Sequence, residues 1–282
     1  MEQINNQPGI LFVLVLYKCT VEESKSFQTL LEKMPNEHKH LFVYDNSPRI
    51  QETQVPVGCY VRDITNSGLG KAYNTACSYA VENKYKWMML LDQDTEFPTN
   101  ALDIYKKALT DYPDIHMIAP RHRIKTGEYI SPTHYSMKTS CPQKETLSGI
   151  INFKQAAPIN SGMLITVSSF KKAGGYDECV WLDFSDIRFI EKYKKHYNSF
   201  YAIKDLVCLQ NYSATETDLE HIAKRHKIYL ECAVKYPRDT FSDSIALTVT
   251  TLRKSLSQTI RNKNLIFLID YWNIYIRRNQ HE

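Results

Sequence analysis

Short apolar runs alternate, along the first two thirds of the chain, with segments in which apolar residues recur every three or four positions. The run Ile10–Leu16 is apolar throughout, which is typical of a strand covered on both faces of a parallel sheet. Five later runs predict strands in the same way: Leu41–Tyr44, Gly58–Arg62, Trp87–Leu91, His116–Ala119 and Gly162–Val167. We therefore predict an α/β fold with a doubly wound, Rossmann-like and mostly parallel sheet.

The segments between these runs predict helices. Thr20 and Glu23 form a capping-box pattern, and apolar residues follow it at helical spacing as far as Met34. Three more helices are predicted, at about Lys71–Val81, Ala101–Leu109 and Phe184–Lys195. The polar stretch Arg121–Lys144 predicts a surface loop or hairpin, and Ser199–Leu209 predicts one or two edge strands.

After about residue 215 only helical spacing remains. An amphipathic helix is predicted by apolar residues that step by three and four: Ile245, Val249, Leu252, Leu256 and Ile260. The predicted divisions of the chain are an α/β domain over residues 1–214, with halves at about 1–98 and 99–214, and a helical extension over 215–282.

Composition places the chain among ordinary globular proteins, since its 282 residues are 43% hydrophobic and 23% charged, with a net charge of +4. No apolar run approaches the roughly 20 residues that cross a bilayer, and no signal-peptide pattern is present, so we expect a cytoplasmic protein. The first 220 residues hold no basic run interleaved with aromatic residues, so nucleic acid is not an expected partner. The seven cysteines form no CxxC pair and are expected to be reduced thiols.

Polar clusters follow three of the predicted strands: Asp45-Asn46, Asn66-Ser67-Gly68 and Asp92-Gln93-Asp94. Because ligands of doubly wound sheets bind outside the carboxyl ends of the strands, we expect these clusters to converge on one ligand. Asp92 and Asp94 are spaced to hold a hard divalent cation, Mg²⁺ or Mn²⁺, together with phosphate oxygens and water. The alternative is a solvated turn in which aspartate caps the local backbone.

Two common nucleotide-binding motifs are not matched. Thr65 and Ala72 stand where a Walker A loop requires glycine and Ser/Thr, and the segment Tyr17–Cys19 lacks the glycines of a dinucleotide-binding turn. A third acidic pair, Asp183 and Asp186, lies at the start of a predicted helix with both carboxylates near one helical face. One of them could be a general base in a cleft; the alternative is that both merely complement the helix dipole.

Seven segments, in order along residues 10–210, together resemble the inverting family 2 glycosyltransferases of GT-A fold, and among them the rhamnosyltransferase-like branch. These segments are LVLYKC, VYDNSP, NSGLGKAYN, LLDQDTEFP, NSGMLI, FKKAGGYDE and WLDFSDIRF. The resemblance implies transfer of a sugar, rhamnose in that branch, from a dTDP- or UDP-linked donor to a polysaccharide or lipid-linked acceptor. It also implies inversion at the anomeric carbon and a Mg²⁺ or Mn²⁺ cofactor.

The resemblance further implies roles for individual residues. Tyr17 would stack on the pyrimidine base, and Asp45 would accept a hydrogen bond from its ring N–H. The remaining donor-binding residues would be Asn66, Gly68, Lys71, Asp92 and Gln93. Asp92 and Asp94 would form the metal-binding motif, with Asp94 as the direct ligand.

The same resemblance assigns the catalytic base to Asp186, with Asp183 as the substitute candidate. A single inverting displacement needs a base opposite the departing diphosphate, to remove the proton of the acceptor hydroxyl. The chain departs from the branch at three places: Arg188-Phe189 replaces Glu-Trp, Lys192 replaces an arginine, and Gln210-Asn211 stands where relatives place a histidine near the metal.

Two other functions remain open from the sequence. A sugar-phosphate nucleotidyltransferase shares the doubly wound architecture, although the segment after the first strand lacks the glycine-rich loop of that class. A non-catalytic protein that binds a nucleotide sugar or a glycan on the same fold is the second alternative, and the departures at Arg188 and Gln210 favour it.

The C-terminal segment Leu265–Ile276 is apolar except for Asp270 and Asn273, and basic residues flank it. The simpler interpretation is a helix that packs on the α/β domain or on a second subunit, as in a homodimer. Its aromatic residues and basic flanks also suit a helix that lies in an anionic membrane surface. The hypothesis is therefore peripheral attachment at the inner face of the membrane, through this helix.

Overall fold

The computed structural model describes residues 9–210 and 218–277. Its strands within these ranges are β1 (Ile10–Leu16), β2 (Leu41–Asp45), β3 (Cys59–Arg62), β4 (Trp87–Asp92), β5 (Thr95–Glu96), β6 (Met117–Arg123), β7 (Tyr129–Ser131), β8 (Gly149–Asn152), β9 (Leu164–Thr166) and β10 (Ser199–Gln210). The helices are α1 (Gly68–Glu82), α2 (Ala101–Asp111), α3 (Val167–Lys172), α4 (Ser185–Tyr193), α5 (Leu219–Val234), α6 (Phe241–Asn262) and α7 (Ile266–Asp270).

All of these strands join one sheet, in the order β3-β2-β1-β4-β9-β6-β10-β5, with β7 beside β6 and β8 beside β10. The pairs β1–β2, β2–β3, β1–β4 and β6–β10 are parallel, whereas β9 runs antiparallel to both β4 and β6. The predicted α/β fold with a mostly parallel central sheet is confirmed.

Apolar side chains cover both faces of the sheet, as the continuous run in β1 predicts. Leu11, Val13 and Val15 point into a core formed with α1, α3 and α4, and the alternate residues of β1 point into a second core formed with α2. A β strand presents successive side chains to opposite faces. The sheet is therefore the middle layer of three.

The first predicted helix is wrong in extent. Thr20 and Glu23 do exchange the hydrogen bonds of a capping box, at 2.9 and 3.2 Å, but they close a turn, and only a π-helical turn over Phe27–Leu31 follows. Ser24 and Ser26 are buried, and their hydroxyls donate to backbone carbonyls of the segment after β4. Such side-chain bonds compete with the helical backbone pattern.

The predicted edge position of Ser199–Leu209 is also wrong. These residues belong to a single twelve-residue strand, β10, which has neighbours on both sides: β6 in parallel, and β8 and β5 antiparallel. The register against β6 shifts between Ala202 and Val207, so the periodicity of the strand is interrupted. The polar stretch after β6 forms a hairpin, in which β7 pairs with β6.

The C-terminal helices surround a core of their own, to which Tyr229, Leu230, Leu247 and Tyr275 contribute. Val180 and Phe184, from the segment before α4, enter the same core. Within residues 9–210 and 218–277, no helix is long and apolar enough to cross a membrane. The predicted boundary near residue 214 lies outside the described residues.

Helix α6 is amphipathic as predicted, but most of its large apolar residues do not face the core. Apart from Leu247, the buried residues of α6 are small or carry hydroxyl groups: Ala246, Thr250, Thr251 and Ser255. Several of their hydroxyls bond to the helix's own backbone, and that of Ser255 lies 3.1 Å from Nε2 of buried His226. The apolar residues of the predicted pattern therefore lie on the outer face.

Candidate active site

The carboxyl ends of the parallel strands meet at one edge of the sheet. Leu16 is the register partner of Asp45, and Val15 is the partner of Asp92, so β1, β2 and β4 end side by side. Asp45 in turn pairs with Arg62, the last residue of β3. The predicted convergence of the polar clusters at this edge is thus present in the structure.

Gln93 lies at this edge and binds the end of β1. Its side-chain oxygen accepts a hydrogen bond from the backbone N–H of Tyr17 at 2.8 Å, and its amide nitrogen donates to the Tyr17 carbonyl at 3.3 Å. The Tyr17 ring is 42% exposed at the carboxyl end of β1. Gln93 therefore fixes the backbone from which the Tyr17 ring projects.

Asp45 is fully buried at the end of β2, and both of its carboxylate oxygens accept hydrogen bonds. Oδ1 accepts from the backbone N–H of Ser47 at 2.8 Å, and Oδ2 accepts from the Tyr60 hydroxyl at 2.9 Å. The next residue, Asn46, is also buried, and its side-chain oxygen has no hydrogen-bond partner within the described part of the chain. A buried unpaired acceptor is costly, so Asn46 is suited to receive a donor group from a ligand.

Asp63 organises the loop after β3, and the sequence analysis did not single it out. Its carboxylate accepts hydrogen bonds from the backbone N–H groups of Thr65 and Ser67, at 2.9 and 3.0 Å, and from the Tyr44 hydroxyl. Against partial burial, hydrogen bonds from the side chains of Thr65 and Ser67, and then from their backbone N–H groups, hold the pKa of Asp63 well below its usual range. The available signal was the Asp-x-Thr-x-Ser pattern directly after a strand, which is typical of an aspartate-capped turn.

The same loop brings Asn66 and Gly68 to the start of α1 in left-handed backbone conformations, with φ of 52° and 89°. A Cβ atom on Gly68 would lie 2.1 Å from the carbonyl oxygen of Trp181, which accepts a hydrogen bond from the N–H of Leu69 at 2.8 Å. Gly68 therefore permits the segment before α4 to pack on α1. Lys71, on the first turn of α1, is half-exposed and forms an ion pair with Glu178 at 3.5 Å.

Asp92 and Asp94 lie together at the end of β4. Burial, together with the charge of Asp94, raises the pKa of Asp92 to about 7, against a 3.2 Å hydrogen bond from the Tyr73 hydroxyl. Burial also raises the pKa of Asp94, whose Oδ1 accepts a 2.8 Å hydrogen bond from the Gln210 amide. Carboxylates whose pKa is raised in this way need a nearby positive charge to remain ionised at neutral pH.

This pair suits a divalent cation in its chemistry, since Mg²⁺ and Mn²⁺ prefer carboxylate oxygens. Within residues 9–210 and 218–277, no group of three or more His, Cys, Asp or Glu side chains is placed to hold a metal ion. Most coordination positions would therefore be left to phosphate oxygens and water. Gln210 orients Asp94 at the position where relatives place a histidine, and its neighbour Asn211 lies outside the described residues.

Asp186 lies in the first turn of α4, and its carboxylate accepts hydrogen bonds from the N–H of Ile187 at 2.8 Å and from the Tyr135 hydroxyl at 3.3 Å. Burial raises the pKa of Asp186 above its ordinary value. The charges of Asp186 and Asp92 both act on the buried hydroxyls of Tyr73 and Tyr176. The structure thus brings the two aspartates into one tyrosine-lined cluster.

Asp183 has a different environment. Both of its carboxylate oxygens accept hydrogen bonds from the Arg225 guanidinium, which binds it in a bidentate pair. The two aspartates nevertheless open on one cleft of about 850 Å³, between the 130–143 segment and α6, which Arg253 and Lys254 also line. Of these two carboxylates, Asp183 is paired with a cation, whereas Asp186 is bound by a backbone N–H and a tyrosine hydroxyl.

Arg188 and Lys192, the departures on α4, anchor the helix and do not reach the acidic pairs. Arg188 binds Asp177 through Nε at 2.6 Å and Asp239 through the guanidinium end at 2.8 and 3.2 Å. Lys192 donates to the other oxygen of Asp177 at 2.6 Å. Both cations therefore hold α4, and with it Asp186, against the segment that follows α3.

The family model of glycosyl transferase family 2 matches residues 25–173, just over half of the chain. The chain therefore belongs to glycosyl transferase family 2. A search of curated proteins finds no match.

Two solved structures share the fold. GalNAc-T7, crystallised with UDP, GalNAc and Mn²⁺, has a TM-score of 0.58 and 11% identity, over 98% of this chain and 58% of that chain. Residues 1–349 of TarS from S. aureus have a TM-score of 0.50 and 12% identity, over 96% of this chain and 92% of that chain. These likenesses identify the fold as GT-A, and this chain spans little more than half of the GalNAc-T7 chain.

Proposed function

We propose that this family 2 glycosyltransferase transfers a sugar from a UDP- or dTDP-linked donor to a saccharide or lipid-linked acceptor, with inversion at the anomeric carbon. The observation that carries the proposal is the placement of Asp186, a partly buried carboxylate in the same tyrosine-lined cluster as Asp92 and at the wall of a large cleft. The donor would bind at the strand ends and the acceptor in the cleft. Rhamnose is the donor sugar that the sequence resemblance favours.

In this proposal residues of about 1–98 bind the donor, residues of about 99–214 bind the acceptor, and the helical extension follows. Tyr17 stacks on the base, and Asn46 and Asp45 lie at the edge where its polar atoms would arrive. Asn66, Gly68 and Lys71 border the same pocket from the start of α1. Asp45 already accepts two hydrogen bonds, so its further bond to a ring N–H would use a remaining lone pair.

Asp186 would remove the proton from the acceptor hydroxyl. As it does so, the oxygen of that hydroxyl forms a bond to the anomeric carbon, and the bond from the anomeric carbon to the diphosphate breaks. The Tyr135 hydroxyl and the Ile187 N–H orient the carboxylate, and burial raises its basicity. Asp94, with Asp92, would hold a Mg²⁺ or Mn²⁺ ion, which when bound supplies positive charge for the leaving diphosphate. Asp183 would maintain the cleft wall through Arg225.

The test is release of sugar and nucleotide diphosphate from UDP- and dTDP-linked sugars, measured with Mg²⁺ or Mn²⁺ and then with a chelator. Asp94→Ala should abolish turnover and weaken binding of the donor diphosphate, while the melting temperature stays nearly unchanged because Asp94 lies just after the end of β4, beside the like charge of Asp92, and not in the core. Activity of the variant in chelator would contradict the metal assignment. Formation of a nucleotide sugar from a sugar phosphate would indicate a nucleotidyltransferase, and binding without turnover a non-catalytic protein.

A further inference from the structure

The outer face of α6 carries a continuous apolar stripe, which we define as Phe241, Ile245, Val249, Leu252, Leu256 and Ile260. Phe241 and Ile260 are 81% and 76% exposed, and Ile245, Leu252 and Leu256 are also exposed. The opposite face buries Leu247 and otherwise small and hydroxyl-bearing residues, so most of the larger apolar side chains of the helix point outward. A contiguous apolar surface of this kind marks an interaction site in a globular protein.

The spacing of the stripe shows what shape of surface it fits. Its steps of four, four, three, four and four repeat every eleven residues, from Phe241 to Leu252 and from Ile245 to Leu256. Eleven residues make slightly more than three full turns, so the stripe drifts only about 20° around the helix per repeat. It therefore runs nearly parallel to the helix axis for about 28 Å, which suits a flat partner.

The charged residues near the stripe distinguish between two possible flat partners, a second copy of the chain and a lipid surface. Between Phe241 and Ile276 the chain has four basic residues, Arg253, Lys254, Arg261 and Lys263, and two acidic ones, Asp243 and Asp270. Asp243 forms an ion pair with Lys138 at 2.6 Å. Asp270 is buried, with Lys227 at 3.7 Å. Two copies packed stripe to stripe would bring these like charges together, whereas an anionic lipid surface complements both the apolar and the basic residues.

We propose that the stripe on α6 lies in the interface of an anionic membrane. In the C-terminal segment Leu265–Ile276, Phe267, Tyr271 and Tyr275 are buried against α5 and α6, so this segment packs on protein, in line with the simpler interpretation of its sequence. Leu265, Ile269 and Trp272 remain exposed and form a smaller apolar patch. The stripe is thus the principal lipid-binding surface, and the segment after it is mainly structural.

The position of the stripe also bears on the acceptor. Thr250, Arg253, Lys254 and Ser257 of the same helix line the cleft that contains Asp186, so the cleft opens beside the stripe. The Lys254 ammonium lies 3.7 Å from the centre of the Tyr229 ring, and burial lowers its pKa. Resting on the proposed function, this placement points to an acceptor whose lipid phosphate or other anionic headgroup meets Arg253 and Lys254 at the membrane surface.

Co-sedimentation with phospholipid vesicles tests the proposal without requiring turnover. The full chain should bind vesicles of phosphatidylcholine with about one third phosphatidylglycerol, bind pure phosphatidylcholine far less, and dissociate as salt is added. Leu252→Gln combined with Leu256→Gln should reduce the partition coefficient at least about tenfold. The matched control is Val81→Gln combined with Ile150→Gln, which removes two exposed apolar side chains that belong neither to the stripe nor to the proposed active site and should leave binding unchanged.

Neither pair of substitutions touches the proposed active site, so hydrolysis of the donor in solution should be unaffected. The proposal is overturned if the intact chain does not bind anionic vesicles, or if the stripe variant binds them as tightly as the control variant does. It is also overturned if light scattering shows a dimer that the stripe variant abolishes, because the stripe would then be an interface between copies. Absence of donor hydrolysis with normal vesicle binding would instead contradict the proposed function alone.

Discussion

Single carboxylates in this protein differ in role because their surroundings differ. Asp183 and Asp186 are three residues apart, yet one is held by the Arg225 guanidinium and the other by a backbone N–H and a tyrosine hydroxyl. A guanidinium pair stabilises the ionised form and makes a carboxylate a poor base, whereas burial without a cation has the opposite effect. Spacing alone left both residues as candidates, and their partners favour Asp186.

We predict that Asp186→Asn lowers kcat by roughly 10²- to 10⁴-fold while donor binding persists. The folded-state pKa of Asp186 is raised, so in the unchanged protein its ionised, basic form is lost as the pH falls through a value above the ordinary carboxyl range. In the Asp186→Asn variant the corresponding fall of the rate at acid pH should therefore shift or vanish. An ionised carboxylate with a raised pKa destabilises the fold at neutral pH, so the melting temperature should hold or rise. Full turnover of this variant, with loss of turnover in Asp183→Asn, would reverse the two assignments.

At the scale of elements, the sequence correctly predicted the helices and strands that depend on local pattern. Its predictions were wrong where a tertiary contact determines the extent or orientation of an element. The bounds of β1 match the apolar run Ile10–Leu16 residue for residue, and α2 starts at Ala101 as expected. The first helix is short because buried serines bind the segment after β4, and no local pattern shows those partners. The α6 pattern gave the helix but not the direction of its apolar face, because periodicity does not identify what covers that face.

The turn into α1 depends on Gly68, and we predict that Gly68→Ala lowers the free energy of unfolding and weakens donor binding. Its φ is 89°, and the added Cβ would meet the Trp181 carbonyl at 2.1 Å. Gly127→Ala is the matched control, since its φ is 97° with no atom within 4 Å of the added Cβ. The loss at Gly68 should exceed that at Gly127 by about 1–3 kcal/mol in chemical denaturation, the usual cost of overpacking. Equal losses would mean that only backbone strain matters at Gly68.

At the scale of the whole molecule, the helical extension and the catalytic region share a core. Val180 and Phe184, which precede Asp186 in the chain, pack with residues of α5 and of the segment after α7. Arg188 adds an ion pair from α4 to Asp239, in the loop between α5 and α6. The position of Asp186 therefore depends on the extension as well as on the sheet.

We predict that Tyr275→Ala destabilises the protein by roughly 3–5 kcal/mol, as expected for removal of a buried aromatic side chain. Tyr275 is buried, stacks on Tyr271 with 5.5 Å between ring centres, and places its hydroxyl 3.3 Å from that of Thr248. Trp272→Ala, at a side chain that is 54% exposed, should change the unfolding free energy by no more than about 0.5 kcal/mol. Thermal and chemical denaturation of both variants measure this difference, and equal effects would contradict the structural role assigned to the segment.

The packing of Trp181 against Gly68 limits how this protein can be recombined with its relatives. A chimera joined at residue 98 would keep Gly68, Leu69 and Asn74 but take a foreign segment in place of residues 176–181, which those residues contact. Exchanging the part of the chain after residue 98 would therefore require the first turns of α1 to be carried across with the segment that precedes α4. In designing such chimeras, the first turns of α1 and residues 176–181 should be exchanged together, because they are remote in sequence but adjacent in space.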